Sequence, residues 1–138
     1  MILRPPSLAD EVILRLAHEE LALDGSNFLL DGFQSHETSF AGYLARVQDS
    51  LHGKNLMPGR VASTFQLAEV DGVIVGRSSI RYELNNWLSE FGGHIGYAVR
   101  PDFRRRGYAS EILRQSLVLA RDLGLERILI TCNDDNIG

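Results

Sequence analysis

Four arginines fall within seven residues, Arg100, Arg104, Arg105 and Arg106, and Gly107 follows at once. A strand-like run ends at Pro101 among them, and an amphipathic helical pattern begins at Gly107. The first N–H groups of a helix lack internal partners and lie at the positive end of its dipole, so they attract anions. Gly107 and the small Ala109 let a ligand come close to the backbone. Guanidinium groups add side-chain donors matched to phosphate oxygens. The chemistry on offer is the binding of a phosphate group, and a pyrophosphate suits it best. The alternative is a solvated arginine run ahead of an ordinary helix, because runs of charge commonly do no more than face water. Neither G-x-x-x-x-G-K-[ST] nor G-x-G-x-x-G occurs.

Other elements must hold this segment in place. Ile2-Leu3 begins a short strand that Pro5-Pro6 stops. Ser7, with Asp10, caps a helix over residues 8–23. Its apolar rows are Leu8, Val12, Leu16 and Ile13, Ala17, Leu21, which together predict one wide buried face. A loop over 24–35 leads to a second helical pattern, Phe40, Tyr43, Leu44, Val47 and Leu51, stopped by Gly53. After a linker over 54–60, strands are expected at 61–70 and 73–82, joined by the hairpin pair Asp71-Gly72. Residues 83–91 are irregular. A third strand spans 92–100, with Ile95, Tyr97 and Val99 on one face and His94, Gly96 and Ala98 on the other. The helix over 107–123 buries Ala109, Ile112, Leu113, Leu117, Ala120 and Leu123, and Gly124 ends it while Leu125 packs back. Residues 127–132 read as a buried strand, which predicts a parallel pairing through a right-handed crossover.

The chain has 138 residues, 44% apolar and 23% charged, which suits one globular domain. A net charge of −4 argues against a general nucleic-acid binder, as does the absence of aromatic residues interleaved with the arginines. The single cysteine, Cys132, excludes an intramolecular disulfide and a cysteine-cluster metal site; it reads as a core residue rather than a nucleophile. There is no apolar run of membrane-spanning length and no signal core, so a cytoplasmic protein is expected. Six residues after the last strand leave its edge uncovered, and the sequence reads as shortened at its C-terminus; that edge offers a surface for a homodimer.

The run Gly93-His94-Ile95-Gly96-Tyr97-Ala98-Val99-Arg100-Pro101-Asp102-Phe103-Arg104-Arg105-Arg106-Gly107-Tyr108-Ala109 resembles the central motif of the GNAT acyltransferases. That motif ends in [Q/R]-x-x-G-x-[G/A], here Arg104, Gly107 and Ala109, and Pro101-Asp102-Phe103-Arg104 leads into it. Asn133-Asp134-Asp135-Asn136 is similar to the end of the family's fifth strand and the start of its fourth helix. The close resemblance covers residues 93–138; earlier residues agree only in element order. It implies one α+β domain over residues 1–138, with a mixed, mostly antiparallel sheet flanked by helices and cut off after the fifth strand.

The resemblance also implies roles. The cofactor is acetyl-CoA, and the second substrate is an amine acceptor. Backbone N–H groups of Arg105, Arg106, Gly107, Tyr108, Ala109 and Ser110 cradle the pyrophosphate, with the Arg104, Arg105 and Arg106 side chains neutralising it. The backbone of Tyr97, Ala98 and Val99 pairs with the pantetheine amides as an added strand would. The Val99 N–H polarises the thioester carbonyl. Asn133 and Asn136 contact the pantetheine arm or adenosine side. The implied reaction is direct acetyl transfer to a primary amine in a ternary complex. The family often carries a glutamate where this chain has Gly93 and His94, so the candidates for base or water relay are His94, Glu83 and Glu90. A hydrogen-bonded structural histidine is the competing reading of His94. Trp87, Phe91 and Tyr82 line an acceptor pocket or simply pack. An acetyl-CoA-binding module without turnover, and a regulatory or nucleic-acid-binding module, are the other functional readings.

Overall fold

A computed structural model describes residues 1–36, 38–86, 88–89 and 93–130. Strands β1 (Ile2–Arg4), β2 (Gln66–Val70), β3 (Val73–Ile80) and β4 (Ile95–Val99) form one antiparallel sheet in that order. Helices α1 (Glu11–Ala22) and α2 (Phe40–Leu51) cover one face, and α3 (Tyr108–Asp122) covers the other. Asp71 and Gly72 both have positive φ, at 51° and 81°, the geometry a two-residue hairpin turn requires.

The start of α1 is built from polar contacts. A 3-10 turn, Leu8–Asp10, precedes the helix. The Ser7 N–H and hydroxyl both donate to Asp10 Oδ2, at 2.8 and 3.1 Å. Arg4 forks the same carboxylate at 2.8 and 2.9 Å and also reaches Glu69 on β2. The Arg4 bonds hold the Asp10 carboxyl below the usual carboxylate range, against its burial. One carboxylate thus joins β1, the first turn and the sheet.

The predicted buried face of α1 needs correction. Leu8, Val12 and Leu16 point outward, with Val12 84% exposed. The buried face is Leu14, Ala17, His18 and Leu21, with Ile13 beside it. α1 meets only one partner layer, so only part of its broad apolar stripe is covered. His18 joins this core because its Nδ1 accepts the Leu29 N–H at 3.1 Å, and its ring meets Phe33 edge-on. Burial pushes its pKa down.

β3 changes which residues face which layer. Consecutive residues Ala68 and Glu69 pair with Gly76 and Ile74, so Val75 is an extra residue on β3. Such a bulge puts two neighbouring side chains on one side. Ile74 packs toward α1 and α2, Val75 and Gly76 toward α3, and from Arg77 onward the odd-numbered residues face α1 and α2.

α3 lies close to β3 because the residues beneath it are small. The Ser78 and Ser116 hydroxyls bond at 2.6 Å, and Ser116 donates to the Ile112 carbonyl within α3. A Cβ on Gly76 would collide with the Ala98 carbonyl and lie 2.9 Å from Ile112 Cδ1. The far end of α3 closes as expected, with Leu125 N–H bonded to the Ala120 carbonyl and Leu125 packed in the core. Leu123, expected in the buried face, is 42% exposed.

Three strands are shorter than expected. Residues 61–65 join the sheet only through a Ser63–Arg81 bridge and Thr64, whose N–H and hydroxyl oxygen both bond to Ile80. Residues 81–82 lie beyond β3, and β4 starts at Ile95. Residues 127–130 form no strand; they meet β4 only at its beginning, where the His94 N–H donates to the Leu129 carbonyl. Residues 131–132, and with them Cys132 and most of the expected parallel pairing, lie outside the described residues.

Gly76→Ala tests the close approach of α3. Overpacking here is expected to lower unfolding free energy by about 1–3 kcal/mol in urea titration. A variant as stable as the parent would show that the Ala98 carbonyl and the Ile112 side chain both give way without cost.

Candidate functional site

β4 ends in a buried anchor. Arg100, 7% exposed, donates to both carboxylate oxygens of Glu20 at 2.9 Å and to the Ile74 carbonyl at 2.8 Å. Its guanidinium also lies 5.1 Å from the Phe103 ring centre. Arg100 therefore belongs to the scaffold. It clamps α1 to the end of β4 and is not available to a phosphate.

The chain then makes a 3-10 turn, Pro101–Phe103, and rises into α3. Arg105 has φ 61° and Gly107 φ 82°. A Cβ on Gly107 would meet nothing within 4 Å, so this glycine is required for its left-handed backbone rather than for space. The first bond of α3 runs from the Glu111 N–H to the Gly107 carbonyl at 3.2 Å. The backbone N–H groups of Arg105, Arg106, Gly107, Tyr108, Ala109 and Ser110 have no partner among the described residues. Consecutive unpaired N–H groups with left-handed residues between them form a concave anion site, and the α3 dipole adds to it.

The arginine side chains differ in what they do. Arg104 donates to the Val99 carbonyl at 3.1 Å and pairs with Asp24 at 2.9 Å, which links the loop to the end of α1. Arg106 lies 5.7 Å from the Phe103 ring centre, on which Arg100 also rests. Arg105 and Arg106 are exposed at the mouth of the loop. Tyr108 is half-buried against Val99 and Ile112 and serves packing.

Hydrogen-bond parity makes β4 two-sided. Arg81 N–H bonds the His94 carbonyl, and Arg100 N–H bonds the Val75 carbonyl. In an antiparallel ladder only alternate residues bond a given neighbour. Between those two bonds, Gly96 and Ala98 face β3 with their backbone groups. Ile95, Tyr97 and Val99 turn theirs to the opposite edge. On that edge only the Val99 carbonyl meets a described residue, the Arg104 side chain. Of the three residues expected to pair with a cofactor arm, Tyr97 and Val99 present outward N–H groups that have no partner among the described residues, while Ala98 has its backbone committed to Arg77.

His94 stands at the other end of β4 from the loop. Gly93, at φ 64°, turns the chain so that the His94 N–H reaches the Leu129 carbonyl at 2.7 Å. Its Nδ1 accepts the Leu129 N–H at 2.9 Å. That bond assigns the neutral tautomer with hydrogen on Nε2. Burial lowers its pKa. His94 can take up a proton only by giving up the Leu129 bond. Glu83 is exposed in the β3–β4 connection, and burial raises the pKa of the neighbouring Tyr82. Glu90, Trp87, Phe91, Asn133 and Asn136 lie outside the described residues.

A cavity of about 320 Å³ adjoins the start of β4 on the α1–α2 face, with Arg60 and Arg81 in its wall. The sequence reading did not single out either residue. A signal was present: Arg77, Ser79 and Arg81 recur at every second residue at the end of a strand, which places two arginines on one face. No group of described residues forms a metal-binding cluster. No described helix is long and apolar enough to cross a membrane.

The model of the acetyltransferase (GNAT) family matches residues 31–138. This chain belongs to the GNAT family of acetyltransferases. A comparison with curated proteins finds no match. Among solved structures, a predicted acetyltransferase with acetyl-CoA from Clostridium acetobutylicum is similar in fold, with a TM-score of 0.54 and 16% identity over 96% of this chain and 81% of that one. Within the GNAT family assignment, the loop from Arg104 to Ser110 is the part of the site best defined by its own geometry.

The tautomer of His94 has a consequence for stability. Its folded pKa lies below the unfolded value of about 6.5, so it contributes stability that is present above that pH and is lost as pH falls toward the folded pKa. His94→Gln keeps an acceptor for the Leu129 N–H and removes the titration. The variant is expected to lose less melting temperature than the parent between about pH 7 and pH 5. Parallel curves would show that His94 titrates alike in both states.

Proposed function

We propose that this chain binds acetyl-CoA along β4 and the loop before α3, and transfers the acetyl group directly to a primary amine. The observation that carries this reading is the continuity of free donors. Among the described residues, the N–H groups from Arg105 to Ser110 have no backbone partner, and those of Tyr97 and Val99 lie on the edge of the adjoining strand turned away from β3. The first set suits a pyrophosphate and the second an extended amide-bearing arm. Arg105 and Arg106 add positive charge at the mouth. The fold shared with a protein solved with acetyl-CoA supports the same reading.

Acetyl-CoA supplies an acyl carbon activated by its thioester. The amine nitrogen bonds to that carbon, the carbon–sulfur bond breaks, and the amine proton must leave. The chain's contribution is positional and electrostatic. An arm leaving the loop and running back along β4 meets Val99 first. The Val99 and Tyr97 N–H groups, about 7 Å apart on the same edge, are donors for successive carbonyls of the arm, the thioester carbonyl among them. An alkylammonium has a pKa of about 10, so a base is needed at neutral pH. His94 offers a donor at Nε2 in its neutral tautomer, which favours a water relay to Glu83 or Glu90 over direct proton uptake by the imidazole. The tautomer also favours the second reading, an acetyl-CoA-binding module without turnover, and release of free thiol in the presence of amines separates the two.

Calorimetric titration with acetyl-CoA tests the binding reading. Saturable binding is expected, weakened about tenfold or more by Arg106→Ala or Gly107→Val, the loss of one charge-assisted contact or of the loop geometry. A folded parent that does not bind, or variants that bind as tightly as the parent, would overturn it.

A further inference from the structure

The loop before α3 takes its orientation from Arg100, and Arg100 takes its own from Glu20 in the last turn of α1. The guanidinium donates to both Glu20 oxygens at 2.9 Å, and its remaining arm goes to the sheet, at the Ile74 carbonyl. These bonds hold the Glu20 carboxyl below the usual carboxylate range, against its burial, so the pair is charged at neutral pH. Toward the loop, the same guanidinium lies 5.1 Å from the Phe103 ring centre, and the Arg106 guanidinium lies 5.7 Å from that ring. The turn hangs from the same residue, because the Phe103 N–H donates to the Arg100 carbonyl at 2.9 Å. A line of contacts thus runs Glu20, Arg100, Phe103, Arg106, from α1 to the residue beside Gly107. The second brace, Asp24 to Arg104 at 2.9 Å, is about half-exposed on both sides and holds less. α1 itself lies outside the stretch 31–138 that the family model matches.

We propose that Glu20 is a positioning residue for the acetyl-CoA phosphates: through Arg100 and Phe103 it sets where Arg106 and the N–H groups around Gly107 stand. This role, which rests on the acetyl-CoA reading above, asks for no contact between Glu20 and the ligand. Charge and geometry predict opposite signs for its removal. By charge alone, Glu20→Gln removes an anion and leaves Arg100 unneutralised beside the loop, so a polyanion binds more tightly. By geometry, the fork opens, the guanidinium is no longer held over Phe103, and the donors lose their common aim, so the polyanion binds more weakly.

Calorimetric titration with acetyl-CoA is run on the full chain and on Glu20→Gln, Glu20→Asp and Glu19→Gln, each below its melting transition and checked as folded by circular dichroism. Glu19 is the exposed neighbour of Glu20 and takes no part in the fork, so Glu19→Gln removes the same charge from the same turn. Glu20→Gln is expected to weaken binding about tenfold, within the roughly 100-fold that a misplaced group costs. Glu20→Asp keeps the carboxylate and is expected to recover part of that loss, whereas Glu19→Gln binds as the parent does or slightly more tightly. Phe103→Leu breaks the line without touching α1 and is expected to weaken binding about threefold or more, the worth of its two cation–π contacts; it decides the matter if Glu20→Gln does not fold. Affinity in Glu20→Gln equal to or above the parent's, equal weakening in Glu19→Gln, or, with Glu20→Gln unfolded, parent-like affinity in Phe103→Leu overturns the proposal. A folded parent that does not bind acetyl-CoA overturns the acetyl-CoA reading itself, whereas a binding parent indifferent to Glu20 overturns only this role.

Discussion

The buried guanidinium of Arg100 holds the site together. It sits where β4 gives way to the loop, and its donors are taken by Glu20 of α1 and the Ile74 carbonyl of β3. A buried charge with its partners in place is strongly oriented, because losing any one leaves an uncompensated group in a poorly hydrated setting. The direction in which the chain leaves the sheet is thereby set by contacts to two other elements. Phe103 is held under the same guanidinium, and Arg106 rests on its ring. Asp24, just beyond α1, then meets Arg104. The loop before α3 is thus braced from α1 at Glu20 and Asp24, which are four residues apart and straddle the end of that helix.

The second requirement is that β4 keep one edge open. Antiparallel pairing with β3 consumes only alternate backbone groups, and the remaining groups of Tyr97 and Val99 point the other way. Residues 127–130 approach β4 only at His94, through two bonds to Leu129. They close the beginning of the edge and leave its later part facing outward among the described residues. Gly93 permits this arrangement in two ways. Its positive φ turns the chain, and a Cβ there would lie 2.5 Å from the Leu129 carbonyl. His94 is drawn into the same closure: of its two readings in sequence, candidate base and hydrogen-bonded structural histidine, the bond to the Leu129 N–H fits the second.

The local parts of this architecture were legible in sequence because their signals are local. Asp71-Gly72 makes the hairpin that its two residues favour, and the glycine before α3 takes the left-handed conformation. Gly124 and Leu125 end α3 as their types suggest. What escaped was information held by partners distant in the chain. The outward row of α1 is as apolar as its buried row, and only the one-sided sheet decides between them. The bulge at Val75 decides which face receives Arg77 and Arg81, and its one local signal is the neighbouring Gly76. Arg100 reads in sequence as part of a local arginine cluster; its role is set by Glu20, eighty residues earlier.

The bulge also explains how two arginines come to lie under the α1–α2 layer at bearable cost. Arg77 is buried, with its donors on the carbonyls of Asn27 and Phe28 rather than on a carboxylate. Burial pulls its pKa down to about 10, with the nearby Arg81 acting in the same direction, and it remains charged at neutral pH. Backbone carbonyls of the α1–α2 connection therefore stand in for a counter-ion, and in return that connection is fixed over the sheet. Arg81, two positions beyond Ser79 on the same face, does the same for the Gly93 carbonyl. Both cations thus tie a connecting segment to the sheet through its backbone carbonyls, Arg77 the α1–α2 connection and Arg81 the approach to β4.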